Sequence, residues 1–318
     1  MAKTRLDVAV LGEIIIDIVH YLPRVPCQKD TWHESVRAEK VVICPGGAGL
    51  YCAQALSKLG AKSGIIGNVG NDALGRLLID SLNQAGVDTK GIKRLSIETP
   101  SCSILVIRHE EKISLGGAGS WQELQFEDID LEYASSAKFL HFGGYYLYPK
   151  MWGEPTIKIM KHSQEHGLTT SLDTQMDRSG KYAGKIDQVL KYVDVLFLDE
   201  YEAKAITGQD SLSEASAKLL ISGPDTVAIK LGTKGCFVST SNETATIPAF
   251  KVKVVDTIGA GDAWDAGFIF GKLNDWDIER SAKFANAVAA FSVMGPGGAA
   301  NVPSSQVVEA FLNDRYKR

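Results

Sequence analysis

The sequence has no run of lysine and arginine with interleaved aromatics, and its 34 basic against 38 acidic residues leave a net charge of −4. Tracking a phosphate backbone needs a positive field, so nucleic acid is not expected as a partner. Cysteine pairing is missing too. The five cysteines, at 27, 44, 52, 102 and 236, form no C-x-x-C and leave one over, which argues against a disulfide frame or a structural zinc site and fits a reducing compartment. Long apolar runs are scarce. The one from Val8 to Val19 is broken by Glu13 and Asp17 and has no small-residue cleavage site, so it reads as a strand rather than a signal peptide or membrane span. A cytoplasmic protein with no membrane partner is expected. Internal repeats and low-complexity segments are absent as well.

What is present suits a layered α/β protein. With 318 residues, 45% of them hydrophobic, the chain can bury a core near the upper size for one domain. From "LDVAVLG" onward, short apolar strands alternate with helical segments such as "GGAGLYCAQALSKLG" and "ALGRLLIDSLNQAG". That alternation predicts a mostly parallel sheet covered by helices on both faces. Two β-rich insertions, about 15–44 and 97–120, fall outside this layer. The expectation is one domain over 1–318, with the insertions forming a lid over the sheet's carboxyl edge, where ligands bind in such folds. His162 and His166 match H-x-x-E-H, but on a helix of about 155–167 they lie opposite Ile157, Met160 and Gln164, and a solvated face explains them better than zinc.

The stretch "VVDTIGAGDAWDAGF", Val254 to Phe268, carries the chemistry. "KVKVVD" reads as a strand, "TIGAG" as a tight loop, and the helix begins directly after the glycines. Small residues let backbone close on a ligand, and helix-start amides with the positive end of the dipole favour an anion. A Walker A loop is excluded because Asp262 stands where its Lys belongs, and no dinucleotide fingerprint follows the first strand. A phosphate cradle beside a carboxylate suits deprotonation of an acceptor hydroxyl for in-line attack. Asp262 as a plain N-cap is the structural alternative.

"DTIGAGDAWDAGFI" resembles the C-terminal signature of the ribokinase-like (PfkB) carbohydrate kinases, with Trp264 and Asp265 where Phe and Asn are usual. The resemblance runs on through Gly46-Gly47, "GNVGNDALGRLLIDSLNQAGVDT" at 67–89, "DEYEAKAITG" at 199–208, "KLGTKG" at 230–235 and "FANAVAAFSVMGPGGAANVP" at 284–303. It implies a three-layer α/β/α sandwich with a mostly parallel central sheet and a small β-rich lid. It also implies an ATP-dependent kinase with Asp262 as the base and the amides of Gly259, Ala260 and Gly261 as the anion hole. By the same resemblance Glu202 holds Mg²⁺ through water, with Asp199, usually Asn, either adding a carboxylate or making the hydrogen bond of that Asn. ATP is placed near Lys230, Gly232, Thr233 and Gly235, with Asn286 near the adenine. A monovalent cation such as K⁺ is expected on Asp256, the Ile258 carbonyl and the loop 295–301, where Asn301 replaces the usual Ser.

For the acceptor, the resemblance implies Asp17 as the carboxylate that accepts from two sugar hydroxyls and Gly46 and Gly47 as the lid hinge. Ile15, Tyr51 and Gly144 replace the polar residues Asn, Asn and Glu, so ribose is not expected. Tyr51, with Trp32, Tyr145, Tyr146 and Tyr148, offers aromatic surface for a hexose, substituted sugar or nucleoside, unless these rings pack in the core or in a homodimer interface through the lid. No Lys or Arg cluster marks a second phosphate pocket. The expected activity is ATP-dependent phosphorylation of a small neutral sugar. A nucleoside kinase and a catalytically silent sugar or nucleotide sensor stay open, as does a dinucleotide-binding oxidoreductase.

Overall fold

A computed structural model describes residues 6–27, 35–108, 111–117, 119–175 and 183–315; Trp32 lies outside them, as do parts of both insertions. In chain order the described strands are β1 Val8–Leu11, β2 Ile15–Tyr21, β3 Lys40–Gly46, β4 Ser63–Gly70, β5 Asp88–Leu95, β6 Ser101–Arg108, β7 Glu111–Gly116, β8 Phe139–Phe142, β9 Thr169–Asp173, β10 Val195–Asp199, β11 Thr226–Lys230, β12 Cys236–Thr240 and β13 Thr244–Ile247. The helices are α1 Ala48–Leu59, α2 Ala73–Gln84, α3 Leu131–Ser135, α4 Glu154–Glu165, α5 Glu200–Thr207, α6 Leu212–Ile221, α7 Ala260–Leu273, α8 Ile278–Val293 and α9 Ser305–Arg315.

Nine strands form one sheet in the order β13-β12-β11-β10-β9-β8-β1-β4-β5. Seven run parallel, and β12 and β13 add antiparallel at one edge. Successive strand residues point to opposite faces. Val8 and Val10 therefore pack with α1, α2, α7 and α8, while Ala9 and Leu11 join the core under α3 to α6. This is the three-layer sandwich expected. Chain order reverses between β1 and β8, and a crevice opens beyond the carboxyl ends at such a switch point.

Two glycines let α1 reach that crevice. A Cβ on Gly49 would lie 2.6 Å from backbone atoms of Gly12, just after β1. Gly47 caps α1 at φ 100°, a conformation open to glycine at little cost. The helix start thus sits on the end of β1, and the Leu50 amide donates to the Glu13 carbonyl at 3.0 Å.

The two insertions pair with each other. β3-β2-β6-β7 form a separate sheet, parallel only between β2 and β6. In one cross-strand row Cys44, Asp17, Cys102 and Gly116 are neighbours, and in the adjoining set Ile43, Ile18, Ser103 and Leu115 are neighbours. Neighbours in a row share a face, so one face carries Asp17 and the other carries exposed Ile43 and Leu115.

One local expectation changes. "KVKVVD" is extended but joins no strand; its end is held by the Val293 carbonyl, which accepts from Val255 and Asp256 at 2.7 and 3.3 Å. Helix α8 ends there, so the segment's partner is a helix terminus rather than a sheet edge. "KIDQVLKYV" forms short 3-10 turns at Ala183–Ile186 and Leu190–Tyr192. His162 hydrogen-bonds Ser135, and His166 bonds the His162 carbonyl at 2.8 Å, so both rings serve helix packing and capping.

Candidate active site

The carboxyl ends of the parallel strands supply the buried polar groups. Asp173 ends β9, Asp199 ends β10 and Lys230 ends β11. Lys230 Nζ lies 2.5 Å from Asp173 Oδ2 and 3.0 Å from Asp265 Oδ1. Burial opposes the lysine charge, but Asp173 and Asp265 overcome it and hold the ammonium well above the ordinary lysine value. Lys230, expected near the nucleotide, has its donors engaged by two buried carboxylates. The pairing also gives a reason for Asp265, whose carboxylate pairs with the lysine from inside α7.

Above that ammonium lies the glycine loop. Gly259, at φ 68°, is the N-cap of α7, and Asp262 is the helix's third residue. The carboxylate is thus not the N-cap. The first-turn amides have no intrahelical acceptor; that of Ala260 reaches the Thr257 carbonyl at 3.4 Å, the outer limit of a hydrogen bond. A Cβ on Gly261 would come within 3.5 Å of Lys230 Nζ, so the ammonium supports the loop from below.

Asp262 faces a cleft of about 430 Å³ whose lining includes Glu13, Asp17, Gly47, Tyr51, Ile258 and Gly259. Burial, with Asp173 nearby, pushes the Asp262 carboxyl up to about 7. Burial, then Asp17 and Asp262, pushes Glu13 up to about 8. Glu13 escaped the sequence reading; its signal was an acid directly after Gly12 at the end of an apolar strand. Trp121, Gln122 and Gln175 also line the cleft and were missed, because only tertiary folding brings them to β1.

Asp17 is buried, and Gly46 leaves room for it: a Cβ there would lie 2.3 Å from the carboxylate. The Tyr51 hydroxyl donates to Asp17 Oδ2 at 2.7 Å. Its ring lies against Gly259 and Gly298, where added Cβ atoms would approach within 2.8 and 3.0 Å. Tyr51 is therefore a wall joining lid, anion loop and α1, not a stacking surface. Tyr145, Tyr146 and Tyr148 also lie in the core, the first two donating to the Lys185 and Ala183 carbonyls. Beside Gly144, the space a Cβ would take is bordered at 2.8 Å by Gln175 Oε1, an amide from the end of β9.

Other expected nucleotide contacts divide. Gly232 and Thr233 are exposed on the turn after β11. Gly235, at φ 103°, is buried where a Cβ would sit 1.9 Å from the Ile247 carbonyl, so its role is to let the hairpin pass. Asn286, expected near the adenine, has its amide engaged by neighbours in the chain. Its Oδ1 accepts from Trp264 Nε1 at 2.7 Å, and its Nδ2 donates to the Ile247 and Pro248 carbonyls at 3.1 Å. The amide is consumed in holding α7 to α8 and the 247–248 segment.

Among the described residues no group of three or more His, Cys, Asp or Glu is arranged to hold a metal. Magnesium asks for less, since one or two carboxylates, waters and substrate phosphates suffice. Glu202 fits that demand. Burial, then Asp173 and Asp199, pushes its carboxyl up to about 7, and a divalent cation would relieve this crowding of negative charge. Asp199 is the N-cap of α5, accepting from the Glu202 amide at 2.8 Å while its own amide donates to Glu202 Oε2 at 2.7 Å. Its side chain is thus engaged in capping α5.

Tyr51→Phe is predicted to remove the donor to Asp17, raising the acceptor KM about tenfold, or 1.4 kcal/mol, while the KM for ATP stays unchanged. Steady-state kinetics in both substrates would check it; an equal rise in both KM values would contradict it.

A family model described as "pfkB family carbohydrate kinase" matches residues 5–305. The ATP-dependent ribose-1-phosphate kinase of Halopiger xanaduensis is 30% identical over 308 residues, covering 96% of this chain and 97% of that protein. The crystal structure of a ribokinase from Thermotoga maritima superposes with a TM-score of 0.81 at 28% identity, covering 97% of this chain and 99% of that one. A ribokinase of Arabidopsis thaliana, solved with ribose and ATP, shares the fold with a TM-score of 0.82 at 24% identity, covering 96% and 98%. With the matched signature built around a carboxylate and an amide-lined loop, the chain belongs to the pfkB family of carbohydrate kinases.

Proposed function

We propose that the protein transfers the γ-phosphoryl group of ATP to a hydroxyl of a small neutral sugar. One observation carries the acceptor class. The cleft brings Glu13, Asp17 and Asp262 together, and no Lys or Arg is among its described lining residues. Carboxylates such as Asp17 and Asp262 accept hydrogen bonds from hydroxyls and repel anions, while Glu13, pushed up to about 8 and so protonated near neutrality, adds a hydrogen-bonding group with no positive charge. A phosphorylated acceptor, as in the name of the Halopiger relative, is disfavoured by that charge. Tyr145, Tyr146 and Tyr148 are committed to the core, and Tyr51 on the cleft wall is held by its bond to Asp17, which favours a sugar over a nucleoside.

In this reading Asp17 orients the acceptor, and Asp262 takes the proton from the attacking hydroxyl. Amides at the start of α7 face the charge that develops on the phosphoryl oxygens, the kind of preorganised donor that contributes most to such barriers. Glu202 would hold Mg²⁺, whose chemistry is neutralisation of phosphate charge. Lys230 adds positive potential from beneath the loop without touching substrate. The lid face bearing Asp17 excludes water, which competes as acceptor.

A homodimer through the lid is part of the same proposal. The outward lid face exposes Val41, Ile43, Ile113 and Leu115, with Ile43 63% and Leu115 56% exposed. Between them lie Ile18 and Leu105, with His20 and Ser103 completing the two rows. Such a patch spanning four strands marks a protein contact rather than a solvated face. A second copy offers a self-complementary surface under twofold symmetry.

Asp262→Asn should lower kcat by about 10²- to 10⁴-fold while leaving ATP binding intact, as measured by single-turnover transfer and calorimetry. Equal loss of binding would make the residue structural. Because the base acts only when ionised, kcat/KM should rise with pH up to about 7 and level above it, and a flat profile would remove Asp262 as the base. Glu202→Gln should raise the Mg²⁺ concentration needed for half-maximal rate; an unchanged titration would exclude it from the metal site. Ile43→Asp should shift sedimentation from dimer to monomer, and a wild-type monomer would refute the lid interface.

A further inference from the structure

The sequence resemblance calls for a monovalent cation beside the anion loop, on Asp256, the Ile258 carbonyl and the loop 295–301. Asp256 and the carbonyls of that loop already have donors from the chain itself. Asn301 Nδ2 lies 3.0 Å from the Pro296 carbonyl and 3.3 Å from each of the Ser292 and Gly298 carbonyls. An amide nitrogen has two hydrogens, so three carbonyl oxygens share them. Three carbonyls converging on one point of positive charge is the arrangement a potassium ion would demand of this loop, and the point is filled by an NH₂ group.

The surroundings agree. Asp256 Oδ1 accepts from the Ile258 amide at 2.9 Å and Oδ2 from the Gly297 amide at 3.3 Å, so the carboxylate is engaged by backbone N–H groups on both oxygens. Lys58 Nζ, from α1, donates to the Ala300 carbonyl at 2.7 Å and brings a full positive charge to the same turn. The fit is close: a Cβ on Gly295 would lie 2.4 Å from Asn301 Oδ1. The expected ligand set therefore does not fit a resident cation.

We propose that the Asn301 amide replaces the monovalent cation in this protein, fixing the loop behind the anion hole without potassium. The loop matters because Gly298 packs on Tyr51 and on the Ile258 carbonyl, and Ile258 immediately precedes Gly259, the cap of α7. A cation there would stiffen the same contacts. The side chain does so permanently, independent of ionic conditions. Only the kinetic consequence rests on the kinase reading; the loop's indifference to potassium does not.

The test compares thermal unfolding of the full chain in about 100 mM KCl and in tetramethylammonium chloride at equal ionic strength, since an ion that binds only the folded state raises Tm. The two wild-type values should agree within about 1 °C, and a potassium-specific rise of more than about 3 °C would overturn the proposal. Asn301→Asp keeps the shape but turns the donor into a fourth acceptor, so it should gain a potassium-specific rise. If it stays as indifferent as the parent, the carbonyls form no cage and the proposal fails. Should that variant not fold, Asn301→Ser serves the same comparison. With a sugar that is turned over, wild-type rates in the two salts should agree within about twofold, whereas activation by potassium beyond about fivefold would refute the inference. Absence of any turnover would count against the kinase reading alone, and the unfolding comparison would still decide this one.

Discussion

One ammonium group organises the reaction centre. Lys230 Nζ joins Asp173, at the end of β9, to Asp265, inside α7, and so ties the sheet to the helix whose first turn forms the anion loop. Neither carboxylate tolerates loss of the lysine, since an unpaired buried charge costs about 3–5 kcal/mol. The pairing also sets the local field. Burial and then Asp173 raise the Asp262 carboxyl while Lys230 pulls it back, leaving it at about 7, the range that the base proposed for proton abstraction needs near neutral pH.

Around that centre, backbone closeness does what side chains cannot. Gly12 and Gly49 bring α1 onto the end of β1, and Gly259 and Gly298 admit the Tyr51 ring between two loops. Tyr51 then carries a hydrogen bond to Asp17 on the lid. Lid, first helix and anion loop are thus linked through one phenol.

The substitutions relative to the family signature make sense in pairs. Asp265 goes with Lys230, Trp264 with Asn286, and Asn301 with the carbonyls of its own turn. Each pairing satisfies a buried polar group within the chain, and buried polar groups must be satisfied. Read singly they look like departures; read with their partners they keep the loop and helix in place with local donors.

The sequence by itself determined the layered fold and marked the glycine loop at the start of α7, because strand–helix alternation and glycine spacing are local properties; the roles expected of Asp17 and Glu202 came from the family resemblance, and that of Asp262 from its place beside the loop together with that resemblance. The sequence also marked the lid insertions, whose composition breaks that alternation. Tertiary structure alone decided that Lys230 and Asn286 spend their polar atoms on neighbours, that the tyrosines belong to the core, and that Glu13, Trp121 and Gln175 share a cleft with Asp262. Those facts depend on contacts between residues up to about two hundred and fifty positions apart, as Glu13 and Asp262 are. No local pattern encodes such contacts, since pairing across strands is fixed by sheet order and packing rather than by sequence neighbours. The segment 251–256 shows the same limit from the other side: its alternation of Lys and Val suits a strand, yet it meets a helix end, and only the packed molecule supplies or withholds a ladder partner.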